Sequence, residues 1–179
     1  VQFAQLEVGS LASSYIPTTG AAATRAIDNA LNSILASIGF NPLEGTIYVE
    51  YELMNVSGNN RAITFDDGTN NNRITVNNFV GNANYSVRDG GVDQASLTAG
   101  SITAMTIVKQ AAAYKANDFA VSVNGAAAVT DTLGSVATGI TTLRFGQEVG
   151  GANNLFGWLR RVTYYPIRLP NAQLQALTA

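Results

Sequence analysis

Glu50 and Glu52 stand two residues apart in the stretch GTIYVEYEL, so on an extended chain both carboxylates point to one side. Such a pair can hydrolyse a glycosidic bond, one as nucleophile and one as acid, when the two lie about 5–5.5 Å apart. The residues that follow are Leu53, Met54 and Asn55, with no further acid, and two solvated strand carboxylates are the plainer reading. In FDDGTNNN, Asp66, Asp67 and Asn70 offer oxygens that suit Ca²⁺, without the regular spacing and closing Glu of an EF-hand loop. A polar turn explains the same residues, and no other cofactor is expected. A third group is larger: Asp66, Arg73, Thr75, Asn77, Asn84, Ser86 and Arg88 carry the carboxylate, amide, hydroxyl and guanidinium groups that bind sugar hydroxyls. No aromatic ring that would stack on a sugar face accompanies them, because Phe65 and Tyr85 fall on the opposite phase. An ordinary wet surface is the competing reading.

Two features late in the chain complete the inventory. Trp158 is the only tryptophan, off the phase of Leu159 and Val162. It either faces a groove or a partner chain, or packs under a C-terminal helix, the second being favoured. Arg144, Arg160, Arg161 and Arg168 are four of the ten cations. They suit an acidic polysaccharide, or else solvent and intersubunit pairing, which is favoured.

Composition removes several classes of function. The 179 residues include no His and no Cys, so His-containing triads, thiolate metal sites and a cysteine nucleophile are excluded. Only 12% of residues are charged and the net charge is -2, which argues against a broad nucleic-acid-binding surface. No apolar run reaches the ~20 residues that cross a bilayer. No signal peptide is visible, and Val1 in place of a start methionine reads as the beginning of a piece excised from something longer.

The elements that must position these residues are mostly strands. In residues 45–53, Ile47, Val49, Tyr51 and Leu53 share one face, opposite Glu50 and Glu52. Ile63 and Phe65, Ile74 and Val76, then Tyr85 and Val87 repeat the alternation, leaving Thr64 and the seven-residue polar group outward as a stripe across one sheet. SITAMTIVKQ, residues 101–110, reads as a longer central strand. Phe119, Val121 and Val123 lead to Asn124-Gly125, the pair that favours a type I′ turn, with residues 126–129 returning. TTLRFG adds Leu143 and Phe145. Many short strands punctuated by turn clusters predict a two-sheet antiparallel sandwich or a barrel.

The two ends of the chain differ from this pattern. IPTTGAAATRAID reads as a linker, and residues 28–40 match either a helix, capped by Asp28 and ended by Gly39, or a strand. Near the C-terminus, Leu159, Val162 and Tyr164 reach one face only if an extra residue bulges near Arg160–Arg161. Pro166 and Pro170 end pairing. Asn171 is placed to cap the helix AQLQAL, which is too short to stand alone and must dock through Leu169, Leu174 and Leu177 over the sheet's open end.

Three stretches, AAAYKANDFAVSVNGA, TTLRFGQ and GWLRRVTYYPIRLPNAQLQAL, together resemble the concanavalin A-like jelly roll in its laminin-G-like branch. That family shows a strand ending in Asn-Gly or Asp-Gly, a later Leu-x-Phe/Ile-Gly, and a closing Gly-x-Ile-x-x-Val-x-x-Tyr strand before a leucine and a short helix. The likeness runs over residues 39–179. AQLEVGSLASSYIPTTGAAATRAID and GFNPLEGTIYVEY are similar to modules of bacteriophage and prophage tail or head fibre proteins. The resemblance implies an all-β jelly-roll sandwich over 29–179, with 1–28 a linker and the remnant strand of a preceding module, and a first strand near 34–40. It also implies a non-catalytic, lectin-like adhesion module that binds cell-surface glycan, assembles as a homotrimer and works on a virion, outside cells. The alternatives are a purely structural capping or decoration domain, and a glycan hydrolase or lyase. Retaining glucanases of the same broad fold carry Glu-x-Asp-x-x-Glu on one strand. Here the Asp and the last Glu are absent, which weakens the enzyme reading.

Overall fold

Alternating apolar and polar residues drive this chain into two stacked sheets, described over residues 29–179 of a computed structural model. The strands are β1 (Ala30–Asn32), β2 (Glu44–Leu53), β3 (Asn59–Asp66), β4 (Arg73–Phe79), β5 (Asn82–Asp89), β6 (Val92–Ser101), β7 (Ile107–Lys115), β8 (Phe119–Val123), β9 (Val129–Asp131), β10 (Thr142–Phe145) and β11 (Gly157–Tyr165), followed by helix α1 (Asn171–Thr178). One sheet runs β1-β10-β3-β4-β5-β6 and the other β11-β2-β7-β8-β9, all pairs antiparallel. The architecture is the predicted jelly-roll sandwich.

The core lies between the sheets and is filled by the faces that the alternation marked. Ile47, Val49, Tyr51 and Leu53 meet Ile63, Phe65, Ile74, Val76, Tyr85 and Val87, all buried. Each such side chain, fully buried, contributes about 1.5–3 kcal/mol. One polar network crosses this core. The Tyr51 hydroxyl donates to Gln110 Oε1 at 2.9 Å, and Gln110 Nε2 donates to the Asn84 carbonyl at 2.9 Å. That carbonyl sits where the β5–β6 register slips between Ala83 and Asn84.

Turn chemistry fixes the connections. Asn124 and Gly125 have φ of 47° and 77°, as a two-residue hairpin with positive φ at both centres requires. The return strand is shorter than expected: pairing with β8 resumes only at Val129. The expected strand over 101–110 is broken. β6 ends at Ser101 and β7 begins at Ile107, with Met105 at φ 60° and its N–H on the Leu53 carbonyl. Ile102 drops into the core on its own, and the apolar run continues across a turn. β7 itself is central, between β2 and β8.

The expected first strand at 34–40 is also corrected. The first described strand is β1, and Leu35–Ile38 form a single 3₁₀ turn ended by Gly39 in the left-handed conformation. Leu35 alone on that turn is buried, a residue of the helix stripe, while Ile38 and Phe40 of the strand alternation pack partly buried against the core and Ile34, common to both, is exposed. Asp28, the remnant strand and the linker lie outside the described residues.

The C-terminal strand has its bulge where the phase problem placed it, between Leu159 and Arg161 in the pairing with β2. Leu159, Val162 and Tyr164 all pack against the core. Gly157 is required at the start of β11, since a Cβ there would run into the Glu52 carbonyl. Helix α1 does not cover an open end. It lies on the outer face of the five-stranded sheet, where Leu174 is buried among Tyr48, Ala111, Ala113 and Ala120, with Leu169, Leu177 and Tyr165 around it. Alanines make that face shallow enough for a helix to sit close. Pro170, not Asn171, occupies the N-cap position, and Asn171 Oδ1 accepts from Arg168 Nη2 at 2.7 Å instead. Among the described residues no helix is long and apolar enough to cross a membrane.

Candidate functional site

Antiparallel register gathers the seven candidate residues onto three rungs of the six-stranded sheet's outer face. Asp66, Arg73, Arg88 and Asp93 form one rung; Arg144, Thr64, Thr75, Ser86 and Ser96 the next; Arg61, Asn77, Asn84 and Thr98 the third. The stripe read from the sequence is therefore contiguous. It is not uniformly wet. Asp66 and Thr75 are 0% exposed and Asn77 2%, while Arg73, Asn84, Ser86 and Arg88 are partly exposed. The β3 and β4 end of the stripe is roofed by long side chains that meet over the Thr64–Thr75 rung.

Ion pairing organises that roof. Arg144 grips Asp66 with two hydrogen bonds, Nε to Oδ2 at 2.7 Å and Nη2 to Oδ1 at 3.2 Å. Arg88 Nε donates to Asp93 Oδ1 at 2.7 Å. Arg61 and Arg73 converge on one oxygen, Glu148 Oε2, at 2.9 Å and 3.5 Å, and Asn153 Nδ2 donates to Glu148 Oε1 at 2.6 Å. Burial, and then the neighbouring Arg61, push the Arg73 pKa down from its ordinary value; Glu148 pulls it back. Thr75 and Ser86 share a hydroxyl bond of 2.6 Å on the floor. Three buried polar atoms here have no partner among the described residues: Thr64 Oγ1, Arg73 Nε and Asn77 Oδ1. An unpaired buried polar atom costs about 1–3 kcal/mol, so three together on one face call for an explanation. A cavity of about 230 Å³, lined by Asn29, Arg144, Gln147, Gly150 and Gly151, opens next to Arg144.

Arg61, Thr64, Arg144, Glu148 and Asn153 belong to this cluster and were absent from the sequence-derived group. Arg61 shares the phase of Ile63 and Phe65, and only a register slip between Arg61 and Ile63 turns it outward. Glu148 arrives on the β10–β11 loop, where no period marks it.

The other candidates go elsewhere. In the FDDGTNNN turn, Asp66 also accepts from Gly68 N–H, Asp67 accepts from Thr69 and Asn72, and Asn70 Oδ1 accepts from Arg73. These oxygens thus face N–H and O–H donors. Among the described residues no group of three or more acidic side chains is placed to hold a metal ion. Glu50 and Glu52 face outward on the five-stranded sheet. Glu52 pairs with Arg160, Glu50 lies 3.9 Å from Arg161, and Glu50 accepts from the Tyr48 hydroxyl at 2.7 Å. That bond, after burial, helps push Tyr48 up to about 12. Arg168 pairs with Asp118 at 2.8 Å, so all four late arginines have partners within the chain. Trp158 is 47% exposed and stands opposite Glu52; it does not pack under the helix, whose underside is filled by Tyr48 and alanines.

No family model matches the sequence, and no curated protein matches it. Solved structures do share the fold. The CBM40 carbohydrate-binding module of the Ruminococcus gnavus IT-sialidase, solved with α2,3-sialyllactose, superposes with a TM-score of 0.68 at 16% identity, over 80% of this chain and 87% of that one. The NanB sialidase of Streptococcus pneumoniae gives 0.69 at 12% identity over 86% of this chain, which spans only 27% of the sialidase. A structure described as a receptor binding domain gives 0.58 at 13% identity, over 81% of this chain and 36% of that one. At these identities the likeness establishes the jelly-roll sandwich alone.

Proposed function

We propose that this chain is a non-catalytic carbohydrate-binding module whose glycan lies across the outer face of the six-stranded sheet. The observation that carries this reading is the trio of unpartnered buried atoms, Thr64 Oγ1, Arg73 Nε and Asn77 Oδ1, beneath a face of amides, hydroxyls and guanidinium groups. The Arg61, Arg73 and Glu148 side chains cover these atoms, so a sugar's hydroxyls satisfy them once that cover opens. Support comes from the fold neighbours, one solved with sialyllactose and one described as a receptor binding domain. It also comes from Glu52, paired with Arg160, and Glu50, bonded by the Tyr48 hydroxyl, which face outward on one strand rather than one another across a cleft. In the fibre reading the module is an adhesin on a virion, outside cells, repeated as a homotrimer so that weak single contacts sum to avidity.

The test is glycan-array binding alongside a polysaccharide turnover assay, with Arg73→Ala and Arg88→Ala. The expected result is binding without turnover, weakened about tenfold by each substitution, with Arg88→Ala leaving thermal melting near wild type. Unchanged binding in both variants removes the site assignment. Turnover restores the hydrolase or lyase reading.

One observation favours a second reading, a structural capping domain. Phe79, Val80, Met105 and Phe156 are exposed at one end of the sandwich. Their loops are joined there by Met54 N–H to the Phe156 carbonyl, Met105 N–H to Leu53, and Ile102 N–H to Gly81. Light scattering that finds an oligomer dissociated by Met105→Asp, with no glycan bound, supports this reading over the first.

A further inference from the structure

The arginines on the outer face of the six-stranded sheet are not equivalent. Arg144 has spent the Nε–Nη2 edge of its guanidinium on Asp66, and Arg88 has Asp93 to itself. Arg61 and Arg73 share a single carboxylate. Four cations thus face three anions among the described residues of this cluster, and the surplus falls on the most enclosed pair. A buried charge without full pairing is costly.

Arg73 shows which part of the pair is unused. Its Nη1 donates to Asn70 Oδ1 at 2.8 Å and reaches Glu148 at 3.5 Å, the outer limit of a hydrogen bond, while Nε has no partner among the described residues. A side-on carboxylate grip uses that Nε edge, as Arg144 does on Asp66. Thr64 Oγ1 and Asn77 Oδ1, also unpartnered, share the face and suit hydroxyls next to such a carboxylate.

Glu148 is held differently from Asp66 and Asp93, which stand on strands. It rides on the loop between β10 and β11, where Gly146, Gly150, Gly151 and Asn153 all have positive φ, and the loop is closed at its neck by Leu155 N–H on the Gly146 carbonyl at 2.7 Å. Its second oxygen is fastened, among the described residues, by Asn153 of the same loop, whose carbonyl accepts from Arg61 N–H at 2.8 Å.

Resting on the carbohydrate-binding reading, we infer that the ligand of this face is a carboxylate-bearing sugar gripped by Arg61 and Arg73, and that Glu148 is a tethered carboxylate holding the same place. Binding then exchanges one anion for another. Glu148 sets a threshold: neutral sugars, which cannot replace it, are held only by the open β5 side of the stripe.

The experiment is calorimetric titration of wild type, Glu148→Gln and Asn153→Ala with 3′-sialyllactose, with trigalacturonate and with lactose. The two acidic probes separate a sialic from a uronic source of the carboxylate. Glu148→Gln is expected to bind at least one acidic probe about tenfold more tightly than wild type, with lactose unchanged. Asn153→Ala loosens the same carboxylate without changing charge, and is expected to act in the same direction more weakly; it decides the matter if Glu148→Gln does not fold. Acidic-probe binding that is unchanged or weaker in the folded variants overturns the displacement. Binding of lactose alone by every protein overturns the inference and leaves the carbohydrate reading standing. No binding of any probe, with an empty glycan array, overturns both.

Discussion

Arg144 and Asp66 meet edge to edge on neighbouring strands, in a two-bond grip at 2.7 and 3.2 Å with Asp66 wholly enclosed. The pair closes the β10 side of the polar face and ties the late strand β10 to β3. A buried ion pair adds little over a well-packed apolar pair, but breaking one side strands the other charge. Arg144→Met is therefore expected to cost about 3–5 kcal/mol in chemical denaturation. Asp66→Asn combined with Arg144→Met should cost clearly less than the two single losses added.

Leu174 is the anchor of helix α1, buried on the alanine face of β7 and β8. Leu174→Ala should cost about 2–5 kcal/mol. Removing residues 170–179 should lower the melting temperature further, because Tyr48 and Ala111 then face water. Unchanged melting of the truncated chain would refute the docking role.

Gln110 bridges Tyr51 and the Asn84 carbonyl inside the core. Gln110→Leu leaves the buried Tyr51 hydroxyl without its acceptor, at about 1–3 kcal/mol, and takes one donor from the Asn84 carbonyl. Adding Tyr51→Phe removes one orphan and should recover part of the loss, a reversal that simple overpacking at position 110 would not produce. Burial also pushes the Tyr51 phenol well above its ordinary value, so it should stay silent in a spectroscopic titration up to the point of alkaline unfolding.

Asp89 fastens the long connection between β9 and β10, accepting from Thr138 N–H at 2.9 Å, Thr138 Oγ1 at 2.7 Å and Ser135 Oγ at 3.1 Å. The Thr138 hydroxyl bond is the main reason its pKa lies below the ordinary aspartate value. A lowered folded pKa means stability that is complete above the unfolded value of about 3.9 and lost as pH falls through the folded one. Melting temperature measured from pH 7 to pH 2 should fall at the acid end, and Asp89→Asn should flatten that limb while lowering the plateau.

Much of the fold was legible because period-two burial writes itself into the residues. Ile47, Val49, Tyr51, Ile63, Phe65, Ile74 and Val76 face the core as the alternation required, and the misfit of Leu159 with Val162 was enough to locate a bulge. Where the reading failed, two environments shared one residue type. Ile102 is buried from a turn and so made the strand that begins at Ile107 read as starting at Ser101. Leu35 is buried from a single 3₁₀ turn, while Ile38 and Phe40 also pack on the core, so residues of the helix pattern and of the strand pattern are buried within one short irregular segment. The candidate site was half visible. Residues on regular strands, such as Arg73 and Arg88, kept their phase. Arg61 lost its phase to a register slip, and Glu148 comes from a loop that folds back over the sheet, a tertiary event that local spacing does not encode.

The bulge that leaves Arg160 of β11 without a register partner on β2 also guards the molecule's flank. β11 is the rim of its sheet, and beyond the slip its row of free amides and carbonyls no longer matches a straight ribbon. β6, the rim of the other sheet, is paired to β5 through two slips of its own. Both long rims are thus poor templates for cross-β growth, and lateral pairing of two copies through either is disfavoured.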